Sequence, residues 1–457
     1  MSRQITRRAF LKASATGAGV LILGDSRSAR GFAANDKLNL AHVGCGGRGQ
    51  QLIGRFAGKA NVVAMCDVNT ARAAIRYREY PDVPKFKDFR VMLDKVGKRI
   101  DGVVVATPDH THAVATAAAI RAGKHVYTEK PLTRTVGESR VLRELARKHK
   151  VATSMGNQGT GSGAYRRALE LIQAGAIGRI KEVHVWCEGP GPRRLKPPTE
   201  AQKVPPYLDW DLWLGPARYR PFHIRWMGWH NWRDFGTGNL GNWASHSANL
   251  PFRALKVDSL WRADPKTKPI IKVKAKPAVV SKVAFPPYEQ AEWEIPARGD
   301  LPPITFTWCR GHDPEGRARL EKIMGRKLDW GDHGPKKWTD FAGCLLVGTK
   351  GTIYSTGHNA SFTFLEAEKF KHVQRSRPET VDASAGHFRD WLIACKGGKA
   401  AWANFDYAGP LNEFLQIANI ATQIPGTLAY DPLAGKIVNN AKADALISPS
   451  YRDGWSL

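Results

Sequence analysis

Along residues 38–155, short apolar runs alternate with amphipathic helical stretches, and this alternation predicts a parallel sheet covered by helices. The first run, 38–43 (LNLAHV), enters a glycine-rich turn; its following helix sets Leu52, Ile53 and Phe56 on one face. The second, 62–66 (VVAMC), ends at Asp67, and the third, 102–106 (GVVVA), ends in Thr107-Pro108-Asp109-His110-Thr111-His112. A helix to residue 122, a strand at 125–128 ending in Glu129-Lys130-Pro131, a charged helix at 136–149 and a strand at 151–155 before the loop 156–159 complete the series. In an open parallel sheet the ligand crevice lies beyond the carboxyl ends of the strands, so these polar clusters are expected to share one site with the glycine turn.

Beyond residue 155 the pattern changes. A helix at 165–174 and a strand at 180–188 precede a proline- and arginine-rich loop through 206. The aromatic segment 207–243 follows, with Trp210, Trp213, Trp226, Trp229, Trp232 and Trp243 among the 15 tryptophans of the chain. Aromatic faces stack on the apolar faces of sugars, although packing over a sheet explains such residues about as well. A helical segment, 242–249, sets Asn242 and His246 four apart on one face. Strand-like runs recur at 279–283, 291–295 and 304–308; 310–339 reads as a charged, irregular excursion; a hairpin around 349–351 and helices at 387–395 and 411–423 end the pattern. There is no internal repeat or low-complexity segment.

Composition narrows the picture. With 457 residues, 42% hydrophobic and 24% charged, the chain can bury a large core and is expected to form two domains. The net charge of +28 is spread along the chain, without basic arms or a nucleic-acid motif, so no nucleic-acid partner is expected; such a field suits an acidic carbohydrate or an anionic surface. The 6 cysteines are scattered, with neither C-x-x-C pairs nor zinc spacing, so no metal site and no disulfide framework is indicated. At the N-terminus, Arg7 and Arg8 with Phe10-Leu11-Lys12 precede a mildly apolar run at 13–24 and Gly31-Phe32-Ala33. This reads as a twin-arginine export signal that sends the folded protein to the periplasm. The run is shorter than the about 20 residues a membrane span needs, so no transmembrane anchor is expected.

The glycines of Gly44-Cys45-Gly46-Gly47-Arg48-Gly49 are spaced G-x-G-x-x-G immediately after a strand, the fingerprint of a dinucleotide site. Gly44 serves the tight turn, Gly46 the approach of the pyrophosphate and Gly49 the packing of the next helix, whose amino end attracts phosphate. Asp67 stands where an acid takes the ribose hydroxyls, which favours NAD over NADP, with Arg72 close by in sequence.

The exported N-terminus, this loop, Thr107-Pro108-Asp109-His110-Thr111-His112 and Glu129-Lys130-Pro131 together resemble the Gfo/Idh/MocA oxidoreductases, the glucose–fructose oxidoreductase family. The resemblance implies an α/β fold: a signal at 1–34, a Rossmann domain at 35–155, and at 156–457 an α+β domain with a large open, mainly antiparallel sheet that carries the substrate and often a homo-oligomer interface. It implies that Lys130 lies beside the nicotinamide and holds the reacting oxygen, and that His246 is the general base. Asn242 occupies the position of a usual aspartate, and a neutral amide cannot raise imidazole basicity as a carboxylate would. Thr107, Pro108, His110, His112, Glu129, Asn157 and Gln158 are expected around the cofactor. Tyr207, His223, Trp229, Trp243 and Asn249 are expected on the substrate side. The function expected is NAD(P)-dependent hydride transfer on a sugar or sugar derivative. Two alternatives stand beside it: a glycoside hydrolase or lyase that oxidises transiently with tightly held NAD, and a carbohydrate-binding protein without chemistry.

Overall fold

The computed structural model describes residues 37–188, 196–310, 314–329, 340–448 and 450–457. Arg7, Arg8 and the rest of the segment expected to be an export signal lie outside them. Six strands form an all-parallel sheet in the order β3-β2-β1-β4-β5-β6: β1 Asn39–Val43, β2 Asn61–Cys66, β3 Lys85–Phe86, β4 Gly102–Val105, β5 His125–Thr128 and β6 Thr153–Met155. Every residue of β4 is buried, as expected of a central strand covered on both faces. The connecting helices are α1 Arg48–Phe56, α2 Thr70–Glu79, α3 Phe89–Val96, α4 Asp109–Arg121 and α5 Val136–His149. Three of their starts are fixed by side chains: Asn69 caps α2, Asp88 caps α3, and Thr135 with Glu138 forms a capping box on α5. The strand order reverses between β1 and β4, which opens a crevice beyond their carboxyl ends.

The second sheet has nine strands in the order β13-β12-β11-β7-β10-β9-β8-β14-β15. Its members are β7 Ile180–Cys187, β8 Ile271–Pro277, β9 Glu289–Ile295, β10 Ile304–Arg310, β11 Ala342–Gly348, β12 Thr352–Thr356, β13 Phe362–Phe364, β14 Leu428–Asp431 and β15 Lys436–Ile437. All neighbours are antiparallel except β7 and β10. Helix α6 Gly163–Gln173 precedes it, and α7 Trp210–Leu214, α8 Gly238–Asn242, α9 Ala244–Ser247 and α10 Asn249–Ala254 lie in and just after the aromatic segment. Further along are α11 Pro314–Met324, α12 His387–Cys395 and α13 Phe405–Ala421.

The two sheets do not divide cleanly at residue 155. Trp391 and Leu392 of α12 pack with Leu40, Phe56, Val104 and Tyr127, so a late helix covers one face of the first sheet. Helix α13, buried almost end to end, packs against α5, α8, β6 and β8. Among the described residues no helix is long and apolar enough to cross a membrane.

Three expectations are corrected. Residues 279–283 form no strand: Val279, Val280 and Val283 are 39%, 53% and 39% exposed, and the strand is the alternating stretch β8 just before them. The helix expected at 242–249 is broken into α8, α9 and α10. The part of 310–339 that is described contains the helix α11.

Candidate active site

The glycine turn follows from sterics. A Cβ at Gly44, whose φ is +86°, would overlap the Ala106 carbonyl at the end of β4, and one at Gly49 would overlap the Gly44 carbonyl. Hydrogen alone fits at both places, so strand, turn and α1 come together closely. The backbone N–H groups of Gly47 and Arg48 at the start of α1 find no protein acceptor among the described residues, which is what an anion site needs. Asp67, just past β2, braces the turn: Oδ2 accepts from Cys45 N at 2.8 Å and Gly46 N at 3.2 Å, and Oδ1 accepts from Asn69 N at 2.8 Å. Burial pushes its carboxyl up, while these N–H donors and Arg72 pull the other way. Three donors leave the carboxylate about one lone-pair site for a ribose hydroxyl. Cys45 contributes only backbone: its side chain packs with Ile53, Met65 and Ala73 beneath the loop.

A cleft of about 1000 Å³ runs over this turn. Asn69, Arg72 and Lys87 line one part of it, Thr107, Pro108 and Thr111 another, and Trp213, Met227 and Trp229 of the second half complete the wall. A second cavity of about 860 Å³ shares Arg48, Thr107 and Trp229 with the first. Into it face Lys130, His246, Asn242, Asp109, Glu129 and Gln158, with Trp229, Trp243, His230 and His358 around them.

Lys130 donates from Nζ to Asn242 Oδ1, and to the Asn242 carbonyl at 3.4 Å. Burial lowers its pKa, opposed by the charges of Glu129 and Asp109. Glu129 is itself held by Arg48 Nε at 2.8 Å. Asp109 is fully buried and pushed up to about 7 by desolvation; its Oδ2 accepts from Thr237 Oγ1 at 2.7 Å, while Oδ1 has no partner among the described residues.

His246 is oriented from a different direction. Its Nδ1 lies 3.1 Å from Asn157 Oδ1, and Asn157 Nδ2 donates to the Ser245 carbonyl at 2.6 Å. The second bond fixes the amide with its oxygen toward the ring, so Nδ1 carries the proton and Nε2 keeps its lone pair for the cavity. Burial, then the charge of Lys130, holds the imidazole well below its ordinary pKa and therefore neutral. This corrects the reading of Asn242: the missing carboxylate bears on Lys130, and the partner of His246 is Asn157.

Several other expected residues lie elsewhere. His110 is buried, with its ring nitrogens 2.9 Å from the Trp213 carbonyl and 3.3 Å from the Phe235 carbonyl; it ties α4 to the aromatic segment and lines neither cavity. His112 reaches the cavity but braces it, between the carbonyls of Pro131 at 2.8 Å and Thr107 at 2.9 Å. Asn157 stands behind His246 and not against the cleft. Asn249 is core, its Oδ1 accepting from Tyr165 Oη at 3.2 Å and Tyr407 Oη at 2.6 Å. Tyr207 is exposed and offers only its carbonyl, to Thr70 N at 2.9 Å. His223 accepts from Arg225 N at 3.0 Å as a local cap. Neither Tyr207 nor His223 lines the site. Trp210, Trp213, Trp226 and Trp232 pack with Phe222 and Phe235, so packing explains most of the aromatic segment, and Trp229 and Trp243 are its cavity-facing members. Sequence reasoning missed Trp213, Lys87, His230 and His358; no spacing in the chain marks them, since each arrives from a loop or short helix folded over the crevice.

Residues 38–157 match the model of the oxidoreductase family with an NAD-binding Rossmann fold. A levoglucosan dehydrogenase of Pseudarthrobacter phenanthrenivorans is 32% identical over 116 residues, 25% of this chain and 29% of that protein. An inositol 2-dehydrogenase of Saccharopolyspora erythraea is 34% identical over 135 residues, 29% of this chain and 39% of that protein. The chain thus spans well under half the length of these relatives. Over nearly full length it shares its fold with the WlbA dehydrogenase of Chromobacterium violaceum, solved with NADH and UDP-GlcNAcA: TM-score 0.58, 17% identity, 87% of this chain and 97% of that one. The segment match and these relatives support the family resemblance carried by the motifs, and the fold is shared with that dehydrogenase structure.

Proposed function

We propose that the protein is an NAD(P)-dependent oxidoreductase that moves a hydride between nicotinamide and a hydroxyl-bearing carbon of a carbohydrate. The observation that carries this reading is the meeting of Lys130 and the free Nε2 of His246 in a cavity continuous with the glycine-turn cleft. The residues fit a dinucleotide: the turn admits no side chain at Gly44 or Gly49, and among the described residues two N–H groups at α1 and the buried Gln158 Oε1 have no partner. Gly46, Gly47 and Arg48 would hold the pyrophosphate and Asp67 a ribose hydroxyl; the negative charge of Asp67 opposes a 2′-phosphate, which favours NAD. When bound, the nicotinamide supplies the hydride acceptor or donor.

The chain's own residues do the rest. Lys130 Nζ donates to the substrate oxygen and stabilises the charge that grows there as alcohol and carbonyl interconvert. His246 Nε2 takes the hydroxyl proton in oxidation and returns it in reduction. Asn242 aims the ammonium, Asn157 holds the tautomer of the base, and Trp229 and Trp243 offer apolar faces to a sugar ring. The relatives named above are dehydrogenases, which favours net oxidoreduction over a closed redox cycle. Export through the twin-arginine route, with the cofactor captured before transport, belongs to the same proposal. The test is a titration of cofactor-free protein with NAD and NADP, followed by a carbohydrate panel read for reduced nicotinamide; binding of neither nucleotide would refute it.

A further inference from the structure

Behind the catalytic cavity, on the other side of Thr237, lies a separate cavity of about 620 Å³ between the start of α5, the loop segments 233–236 and 282–285, and α13. Its charged lining is Arg134, Arg233, Lys282 and Asp234, and the carboxylate of Asp234 is already paired with Arg220. Arg233 is 7% exposed, yet no carboxylate among the described residues comes within ion-pair distance of it. Its guanidinium is held by neutral oxygens, Ser281 O at 2.7 Å, Ala284 O at 3.2 Å, Asn419 O at 3.4 Å and Thr422 Oγ1 at 2.9 Å, and stacks 4.6 Å from the centre of the Phe285 ring. These acceptors occupy about three of its five N–H groups. Burial pulls its pKa down to about 10, with only Glu289 acting in the other direction.

Two further donors are left open. Among the described residues Arg134 gives one hydrogen bond, from Nη1 to the Arg233 carbonyl at 3.2 Å, and its buried Nε has no partner. Gln416, which lines the cavity, is 3% exposed; its Oε1 accepts from Asn419 Nδ2 at 2.8 Å, which orients the amide, and its buried Nε2 has no partner among the described residues. A buried cation normally carries a counter-charge and a buried donor an acceptor. Here the described residues supply neither, while the cavity gathers both deficits in one place.

We propose that this cavity is a second ligand site, one that binds a small oxyanion, phosphate or carboxylate, between Arg134, Arg233 and Gln416 Nε2, with Lys282 at its mouth. The apolar wall of Val136, Phe285, Ile420 and Leu446 admits an apolar portion on the same molecule. The site touches the catalytic one through Thr237: Asn419 Nδ2 donates to its carbonyl at 2.7 Å, and its hydroxyl donates to Asp109 at 2.7 Å.

The test is thermal unfolding and calorimetric titration of the full chain with inorganic phosphate and, separately, citrate, at constant ionic strength and with saturating NAD to keep phosphate off the glycine turn. The variants are Arg134→Gln, Gln416→Met and Lys282→Gln, the last on the surface and safe for folding. The expected result is a saturable rise in unfolding temperature for the wild type. Half-saturation should move up roughly tenfold or more in Arg134→Gln and Gln416→Met, the loss of one charge-assisted or buried hydrogen bond, and by a smaller factor in Lys282→Gln. Titrating the proteins without NAD as well separates this claim from the cofactor reading. An identical response in all four proteins, or none in the wild type, overturns the proposal. So does a response that appears only with a change in oligomeric state, because a second copy would then supply the anion.

Discussion

Replacing Asn157 by leucine should disable the base without emptying the cofactor cleft. In the native arrangement Nδ1–H of His246 donates to Asn157 Oδ1, and burial keeps the ring neutral. Leucine leaves that N–H buried without an acceptor, which costs about 1–3 kcal/mol. The ring avoids the cost by moving its proton to Nε2, which removes the lone pair from the cavity. A bias of that size corresponds to roughly 5- to 150-fold in the fraction of molecules holding the working tautomer, so kcat for alcohol oxidation should fall by that factor while the dissociation constant for NAD stays unchanged. Asn157→Asp supplies the complementary readout. A carboxylate beside the imidazole favours its charged form and raises its pKa. Oxidation needs neutral imidazole, so activity rises with pH through that pKa and the acid limb of the profile should move to higher pH. Thermal unfolding of each variant separates a packing defect from a tautomer defect. Wild-type kcat in Asn157→Leu together with an unmoved pH profile in Asn157→Asp would refute the reasoning.

Further outcomes follow from other parts of the chain. Gly49→Ala should abolish NAD binding and destabilise the protein by about 1–3 kcal/mol, since its methyl group would collide with the Gly44 carbonyl; calorimetry with NAD and denaturant unfolding check both. Burial pushes the Glu170 carboxyl up, but the N–H groups of Glu379, Val381 and Thr380 outweigh it and hold the pKa down to about 2. A depressed carboxylate contributes stability above its ordinary pKa and loses it as pH falls through the folded value, so the protein should weaken between about pH 4.5 and 2, and Glu170→Gln should flatten that part of the stability profile. Replacing both Arg7 and Arg8 by lysine should leave folded protein in the cytoplasm; processed protein outside the inner membrane in cell fractionation would contradict the export proposal.

The sequence carried the first sheet and the outline of the site because both rest on local signals. The G-x-G-x-x-G turn, Lys130 in its Glu-Lys-Pro setting and the polar ends of β4 and β5 are all written in contiguous residues. The second sheet was harder to read. In β8, Ile271, Val273 and Ala275 alternate with lysines, of which Lys274 pairs with Glu292 across the strands at 2.7 Å, whereas the more continuous apolar run after it stays exposed. A sheet with one wet face is marked by alternation and not by apolar density. The partners of Lys130 and His246 were not legible at all: Asn157 and His246 are 89 residues apart, Lys130 and Asn242 112 apart, and only the fold decides which amide meets which group. Likewise His110 and Asn249 carry polar chemistry in the sequence that the structure spends on holding elements together, while the Tyr207 side chain is left exposed.

In the proposed reaction Lys130 acts on a carbohydrate oxygen beside a bound nicotinamide. The most direct measurement compares purified wild type with Lys130→Ala, reading bound nucleotide after denaturation and carbohydrate-dependent formation of reduced nicotinamide before it. The expected result is equal nucleotide in both proteins, turnover in the wild type, and a loss on the order of 10²-fold or more in the variant. Equal turnover in the two proteins, or a wild type that neither retains nor binds nucleotide, would contradict it.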